Sequence, residues 1–178
     1  MKNIEVVDNF LPEDLFLDIS DFFFSSNFIW YWNEVKTLKG MEYDDQLNEL
    51  DDHQYIHPFY NFNKPISNVN ISAFSDRLNM KHIVKAKANS TIRMNSIIRY
   101  GFHTDVNLPG CKTSIFYMNT NDGFTEFKNG DIIESIANRM VIFDSSLEHT
   151  GTSCTNKKRR IVLNFNYFNH DYFQKNYI

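Results

Sequence analysis

A mainly β chain of the α+β class is predicted: a double-stranded β-helix, the jelly-roll or cupin-like barrel, with N-terminal helices packed on one sheet. Three observations lead there. Helical periodicity is confined to the first half of the chain. The second half is a succession of short β-rich runs punctuated by Gly, Asn, Asp and Pro. Aromatic residues are abundant, with 17 Phe, 9 Tyr and 2 Trp, while charged residues make up 22%, a strand-leaning composition that is not that of a disordered chain. Many short strands at regular spacing favour a sandwich or barrel over alternating βαβ units.

Taken in order, Ile4 to Val7 reads as a short strand. Pro12 then opens a helix whose apolar positions Leu11, Leu15, Ile19, Phe22 and Phe23 recur at helical spacing, and Ser25 and Ser26 end it. Phe28 to Trp32 reads as a strand. Glu42 to Asp52 carries six acidic residues and no Lys or Arg, the mark of a solvated loop, with a substrate-contacting lid as the alternative. After Pro65, helical steps between Val69, Ile71, Phe74 and Leu78 predict a second helix over Ser67 to Leu78. Beyond it only strands are expected: Lys81 to Ala88, Thr91 to Tyr100, Lys112 to Met118, Phe124 to Phe127, Asp131 to Ile136, Arg139 to Phe143 and Arg160 to Phe168.

A length of 178 residues suits one domain, able to bury roughly 70% of its unfolded surface. The expected division is 1–90 as helical support and outer strands, 91–168 as the barrel and 169–178 as a tail. A net charge of −4 and a pI near 5.8 leave no strong nucleic-acid signal. The two cysteines, Cys111 and Cys154, lack the spacing of a zinc or redox motif and are expected to be reduced thiols. The start, Met1 to Glu5, has no apolar stretch, and the longest hydrophobic run, Phe28 to Trp32, is far short of a bilayer span. A cytoplasmic protein with no membrane partner is expected, its oligomeric state left open.

His103-Thr104-Asp105 places two metal-ligating side chains two residues apart, on one side of an extended backbone. His149 follows the run Met140 to Phe143 and the turn Asp144-Ser145-Ser146, so a neighbouring strand end can supply a third ligand. Two neutral imidazoles and one carboxylate on one face of an ion leave about three of six octahedral positions open, the arrangement of non-haem Fe(II) oxygenases. His53, His57, His82 and His170 compete for the third place. On a helix His53 and His57 would face one ion, but the aromatic run Tyr55 to Phe62 argues against helix. Zinc-assisted hydrolysis would need a general base, and Glu148, adjacent to His149 on a strand, points to the opposite face.

From Thr91 to Phe168, a little under half of the chain, the sequence resembles the iron(II)/2-oxoglutarate-dependent oxygenase family, most closely its prolyl-hydroxylase-like branch and the short microbial and phage-borne members. The carriers are His103-Thr104-Asp105, the run Cys111 to Asn119, Asp122-Gly123-Phe124-Thr125-Glu126-Phe127, Asn138 to Phe143, His149, and Arg160 to Phe168. The resemblance implies that His103, Asp105 and His149 hold catalytic iron, that Arg160 pairs with the far carboxylate of 2-oxoglutarate, and that Tyr117 supports it. Strand parity favours Arg160 over Arg159: Arg160 shares a face with Val162, Asn164 and Asn166, whereas Arg159 lies with Ile161, Leu163, Phe165 and Tyr167, which belong in the core. Arg160 and Asn164 then face a polar barrel interior, where a guanidinium can grip a carboxylate through two parallel hydrogen bonds.

Two departures stand out. Arg93 occupies the position where this branch often has a second cosubstrate-contacting tyrosine, leaving Tyr100 and Asn95 as substitutes, and the Gly-Gly before the third barrel strand is reduced to Asp122-Gly123. The implied cofactors are Fe(II), 2-oxoglutarate as cosubstrate, O₂, and ascorbate as reductant. The implied reaction is hydroxylation of an organic substrate with release of succinate and CO₂. A prolyl or other peptide side chain leads as substrate, with a small molecule or nucleobase as the alternative. A non-catalytic cupin-like metal-binding module is the rival from another class, and Arg160 discriminates between them.

Overall fold

Two antiparallel sheets enclose a polar interior, and a helical layer covers the outer face of the larger one. The computed structural model describes residues 4–34 and 52–169. In chain order its elements are β1 (Glu5–Val7), α1 (Glu13–Phe24), β2 (Tyr31–Asn33), β3 (Gln54–Asn61), β4 (Lys64–Pro65), α2 (Ser72–Arg77), β5 (His82–Ile92), β6 (Lys112–Tyr117), β7 (Phe124–Phe127), β8 (Ile132–Glu134), β9 (Arg139–Asp144), β10 (His149–Gly151) and β11 (Arg159–Phe168). The large sheet runs β1-β9-β6-β11-β5-β3-β2, with β4 paired to β3; the small one runs β10-β7-β8. Among the described residues no helix is long and apolar enough to cross a membrane.

Strand β11 shows how the sequence sorts itself. Its residues Ile161, Leu163, Phe165 and Tyr167 join Leu11, Phe23, Phe74, Phe116 and Met140 in one buried cluster under the helices. The alternate residues Arg160, Val162, Asn164 and Asn166 turn to the other side. Alternation on β5 does the same, with Ala86 and Ala88 fully buried between Lys85, Lys87 and Asn89.

Helix α1 begins after Pro12 with Glu13 and Asp14 in its first turn, where carboxylates complement the positive end of the helix dipole. It buries Phe23 against Phe28, ring centroids 4.5 Å apart. Phe22, expected on the buried face, is 45% exposed and rests edge-on against Phe28. Asn138 ties this layer to the barrel. Its amide nitrogen donates to the Leu11 carbonyl at 2.9 Å, and its amide oxygen accepts from the Leu11 N–H at 2.9 Å.

Several boundaries differ from expectation. The strand expected over Phe28 to Trp32 is Tyr31–Asn33, because Phe28 packs into the aromatic cluster below α1. The second helix is only Ser72–Arg77, its first N–H taken by the Asn70 side chain at 2.8 Å, which starts the turn late. Lys81 to Ala88 and the start of Thr91 to Tyr100 form one strand, β5, because Asn89 and Ser90 are paired on both sides by β11 and β3. From Arg93 onward the chain leaves regular pairing, keeping isolated bridges at Arg93, Arg99 and His103. Strand β3 was not expected at all. Both β3 and β5 lie inside the large sheet, β5 next to β11 and β3 next to β5. Of the loop expected over Glu42 to Asp52, residues 42–51 lie outside the described residues, and Asp52 is buried at 6% exposure, so solvation does not extend to it.

Candidate metal centre and cosubstrate cavity

His103 and His149, 46 residues apart (149 − 103), are locked opposite each other by the backbone. Each N–H donates to the other's carbonyl at 2.9 Å. Opposed residues in an antiparallel bridge project to the same side, so the two imidazoles meet with centroids 4.9 Å apart. The expectation of one strand end carrying His103 and Asp105 is corrected: both sit in irregular chain between β5 and β6, and the bridge to β10 orients them.

Each ring uses Nδ1 in the same way. His103 Nδ1 donates to the Gly101 carbonyl at 3.2 Å and His149 Nδ1 to the Leu147 carbonyl at 3.1 Å. A carbonyl only accepts, so the proton sits on Nδ1 and the Nε2 lone pair faces inward. Gly101, at φ 90°, takes a backbone conformation that side-chain-bearing residues avoid, and thereby presents its carbonyl to His103.

Asp105 completes the group: Oδ1 lies 3.8 Å from His103 Nε2, and Oδ2 3.6 Å from His149 Nε2. Asn164 donates to Asp105 Oδ2 at 2.8 Å and Asn166 at 3.4 Å. Burial alone would raise this carboxyl, but the electrostatic influence of the adjoining His149 and His103 rings and the Asn164 hydrogen bond outweigh it and hold the pKa at about 2. Burial is also the main influence on His103 and lowers its pKa, favouring the neutral, ligating form. All three donors lie within 4.8 Å of one another. Cis ligands each about 2.1 Å from one ion stand ~3 Å apart, so the set fits a facial arrangement with small side-chain movements.

It is the one such cluster among the described residues. His57 donates Nδ1 to the Ile29 carbonyl at 2.6 Å, and His53 stacks on Trp32. His82 pairs with Asn63, and His170 lies outside the described residues. Glu148 points outward to Lys128 at 3.0 Å and cannot serve as a base at this centre.

A cavity of about 100 Å³ adjoins the triad, lined among others by Tyr100, Thr125, Asn164, Val162, Ile115 and Arg160. Arg160 is 4% exposed. Its Nε donates to Ser135 Oγ at 2.8 Å and Nη2 to Thr125 Oγ1 at 3.3 Å, with the guanidinium 5.4 Å from the Tyr117 ring centre. No carboxylate pairs with it among the described residues, and burial pushes its pKa below the usual arginine range.

Tyr117 is fully buried behind the cavity, and its hydroxyl donates to Thr125 Oγ1 at 2.8 Å; it is Thr125 that faces the space. Arg159 lies on the opposite face over Phe24 and Trp30. Arg93 donates outward to the Thr155 carbonyl at 2.7 Å. Tyr100 is buried and lines the cavity, whereas Asn95 is exposed in the irregular segment after β5 and does not.

Sequence reasoning missed Gln54, Lys87, Asn89, Thr91 and Thr125, which also line the cavity. A signal for three of them existed. Polar residues at 87, 89 and 91 alternate with small ones at 86, 88 and 90, the mark of a strand with one polar interior face.

No protein-family model matches this chain, and no curated protein matches its sequence. Solved structures do match by shape. An oxidoreductase of the 2OG-Fe(II) oxygenase family from Burkholderia pseudomallei superposes with a TM-score of 0.64 at 10% identity, covering 94% of this chain and 86% of its own. A prolyl hydroxylase from Trichoplax adhaerens, in complex with a hypoxia inducible factor oxygen degradation domain peptide fragment, gives 0.64 at 14% identity, over 95% and 84%. HygX from Streptomyces hygroscopicus, with nickel and 2-oxoglutarate bound, gives 0.58 at 6% identity, over 94% and 83%. The chain thus has the fold of the 2-oxoglutarate- and iron(II)-dependent oxygenases, prolyl hydroxylases among them: a double-stranded β-helix.

Proposed function

We propose that this protein is an iron(II)- and 2-oxoglutarate-dependent dioxygenase that hydroxylates an organic substrate, a prolyl or other peptide side chain. The observation that carries this reading is Arg160: a buried guanidinium without a carboxylate partner among the described residues, beside a small cavity that also meets the triad. A buried unpaired charge costs several kcal/mol, so such a cation calls for an anion from outside the chain. A module that only held a metal would have no use for it. The cavity is also below the roughly 300–1,000 Å³ of drug-sized ligand sites, which suits a short diacid.

In this reading His103, Asp105 and His149 hold Fe(II) through Nε2, a carboxylate oxygen and Nε2, leaving three positions for exogenous ligands. Arg160 grips the far carboxylate of 2-oxoglutarate, and the Thr125 hydroxyl, which accepts from Tyr117, is free to donate to it. Tyr117 and Ser135 position the guanidinium. Asn164 and Asn166 fix the Asp105 carboxylate, and Ile115 and Val162 supply an apolar wall that excludes water. Iron, O₂ and cosubstrate, when bound, supply the oxidising chemistry, in which 2-oxoglutarate leaves as succinate and CO₂ and the substrate gains a hydroxyl.

A peptide substrate is favoured by a groove of about 660 Å³ that runs along β3 and β5 and opens onto His103 and Asp105. A prolyl hydroxylase of the same fold is also known with a peptide bound. The test is succinate release by the purified chain supplied with Fe(II), 2-oxoglutarate, ascorbate and O₂, while fractionated peptides and metabolites are added in turn. A fraction that accelerates succinate release and gains one oxygen atom identifies the acceptor, and turnover of a free metabolite or nucleobase selects the alternative. Metal binding without succinate from any fraction would leave the non-catalytic module.

A further inference from the structure

The groove is unevenly charged. Lys85 and Lys87 lie two residues apart on β5, so both side chains leave the same face of the strand about 7 Å apart, and both line the groove. Lys87 also lines the small cavity beside the triad, so it stands where groove and reaction centre meet. Among the described residues the groove contains one carboxylate, that of Asp105. That group is already engaged by Asn164, Asn166 and the two imidazoles. The lysines make no ion pair with another described side chain. At Lys87 burial and then the charge of Lys85 lower the pKa, and the charge of Asp105 offsets them only in part. Beside the lysines, on the paired strand β3, Ile56 and Pro58 stand opposite Asn89 and Lys87 in register, and with Tyr60, Phe62 and Val106 they give the groove an apolar flank.

We infer that the substrate carries a carboxylate next to the carbon that is oxidised, that this carboxylate seats on Lys85 and Lys87, and that an apolar flank lies against the Ile56 to Phe62 wall. The inference rests on the function proposed above. It narrows the substrate to acids, because an anion seated there is drawn by both ammonium groups and offsets the repulsion that Lys85 exerts on the buried Lys87, which a neutral or cationic group cannot do. The carboxylate belongs either to an Asp or Glu neighbouring the hydroxylated residue of a peptide, or to a free organic acid.

The test uses the full chain loaded with Mn(II) and 2-oxoglutarate, a combination that binds without turning over. One arm is an array of random-sequence peptides in which each acidic residue is exchanged for its isosteric amide. The other is a panel of small carboxylic acids paired with their primary amides. We expect one arm to contain ligands whose acid form binds about five- to tenfold tighter than the amide at low ionic strength, an advantage that shrinks as salt is added. The responding arm names the source of the carboxylate. In a Lys85→Gln/Lys87→Gln double variant the advantage falls to near parity, whereas Lys85→Arg/Lys87→Arg retains it. The inference is overturned if no acid form outbinds its amide in either arm, or if the preference survives in a folded double variant. Should the double variant fail to fold, the acid and amide pairs on the unaltered chain decide alone. Failure of the unaltered chain to bind Mn(II) or 2-oxoglutarate is a separate readout and would strike at the proposed function instead.

Discussion

In the function proposed above Arg160 combines two demands at one residue, since it is buried to meet a small diacid and charged to hold it. Removing a buried, uncompensated charge while keeping apolar volume is neutral or stabilising in general. Arg160→Met is therefore expected to melt at or above the temperature of the unaltered apo-protein and to bind Mn(II) normally. Its affinity for 2-oxoglutarate should fall on the order of 100-fold, as measured by titration calorimetry. A lower apo melting temperature with intact cosubstrate binding would contradict the role given to this residue. Cys111 allows a pH prediction. Burial raises its thiol to about 11 from the ordinary 9.0. The folded state thus holds this proton more tightly than the unfolded state, so its contribution to stability is present below pH 9 and is lost as the pH rises from there through 11. At pH 8 about one thiol in a thousand is ionised, and iodoacetamide should leave Cys111 unmodified until the protein is unfolded. At this scale the placement was legible: that His103, Asp105 and His149 could meet, and that Arg160 and not Arg159 turns inward, follow from side-chain chemistry and strand parity. The role of Tyr117 was less so, because the sequence does not reveal that Thr125 stands between its hydroxyl and the cavity.

Among the elements, those with clean alternation were legible to within a residue or two. Strand β7 is buried at every second position, β11 is buried from Arg160 onward and β9 buries Met140, Val141 and Phe143, and their limits agree with the sequence reading to within a residue. Strand β3 was invisible because Pro58 sits in its interior, which ordinarily argues against a strand that is paired on both sides. The structure accommodates it where the register with β5 slips between Pro58 and Tyr60, a bulge that no local pattern announces. Strand β5 was split in two because Asn89 and Ser90 are poor strand formers, yet pairing with β11 and β3 overrides propensity. The start of β7 offers a prediction. A Cβ at Gly123 would collide with the Ser153 carbonyl and approach Arg160 Cδ and Asn121 Oδ1 at 2.8 Å. Gly123→Ala is thus expected to cost about 2 to 4 kcal/mol in urea unfolding and to weaken 2-oxoglutarate binding through the displaced arginine, while a variant at the open Gly130 end of the same hairpin would not disturb that binding.

For the molecule as a whole, the docking of the helical layer onto the large sheet decides whether β11 has a dry side and a wet side. Asn138 holds that docking through its two bonds to Leu11, and it adopts φ 61°, a left-handed conformation that asparagine tolerates better than most residues. Asn138→Ala strands two buried backbone groups and adds backbone strain, so unfolding free energy should drop by about 2 to 4 kcal/mol while Mn(II) affinity of the folded protein stays unchanged. A metal affinity that fell in parallel would mean that the layer shapes the centre directly. The sequence by itself determined which face of β11 is polar and which side chains have metal-ligating chemistry to offer, because period-two alternation and donor type are local properties. Only the tertiary structure decided that His103 stands opposite His149, that Arg160 looks into the cavity beside them, and that Lys85 and Lys87 border the approach. Those facts depend on register between strands far apart in the chain, which is settled when the two sheets close over one another and not by any segment alone.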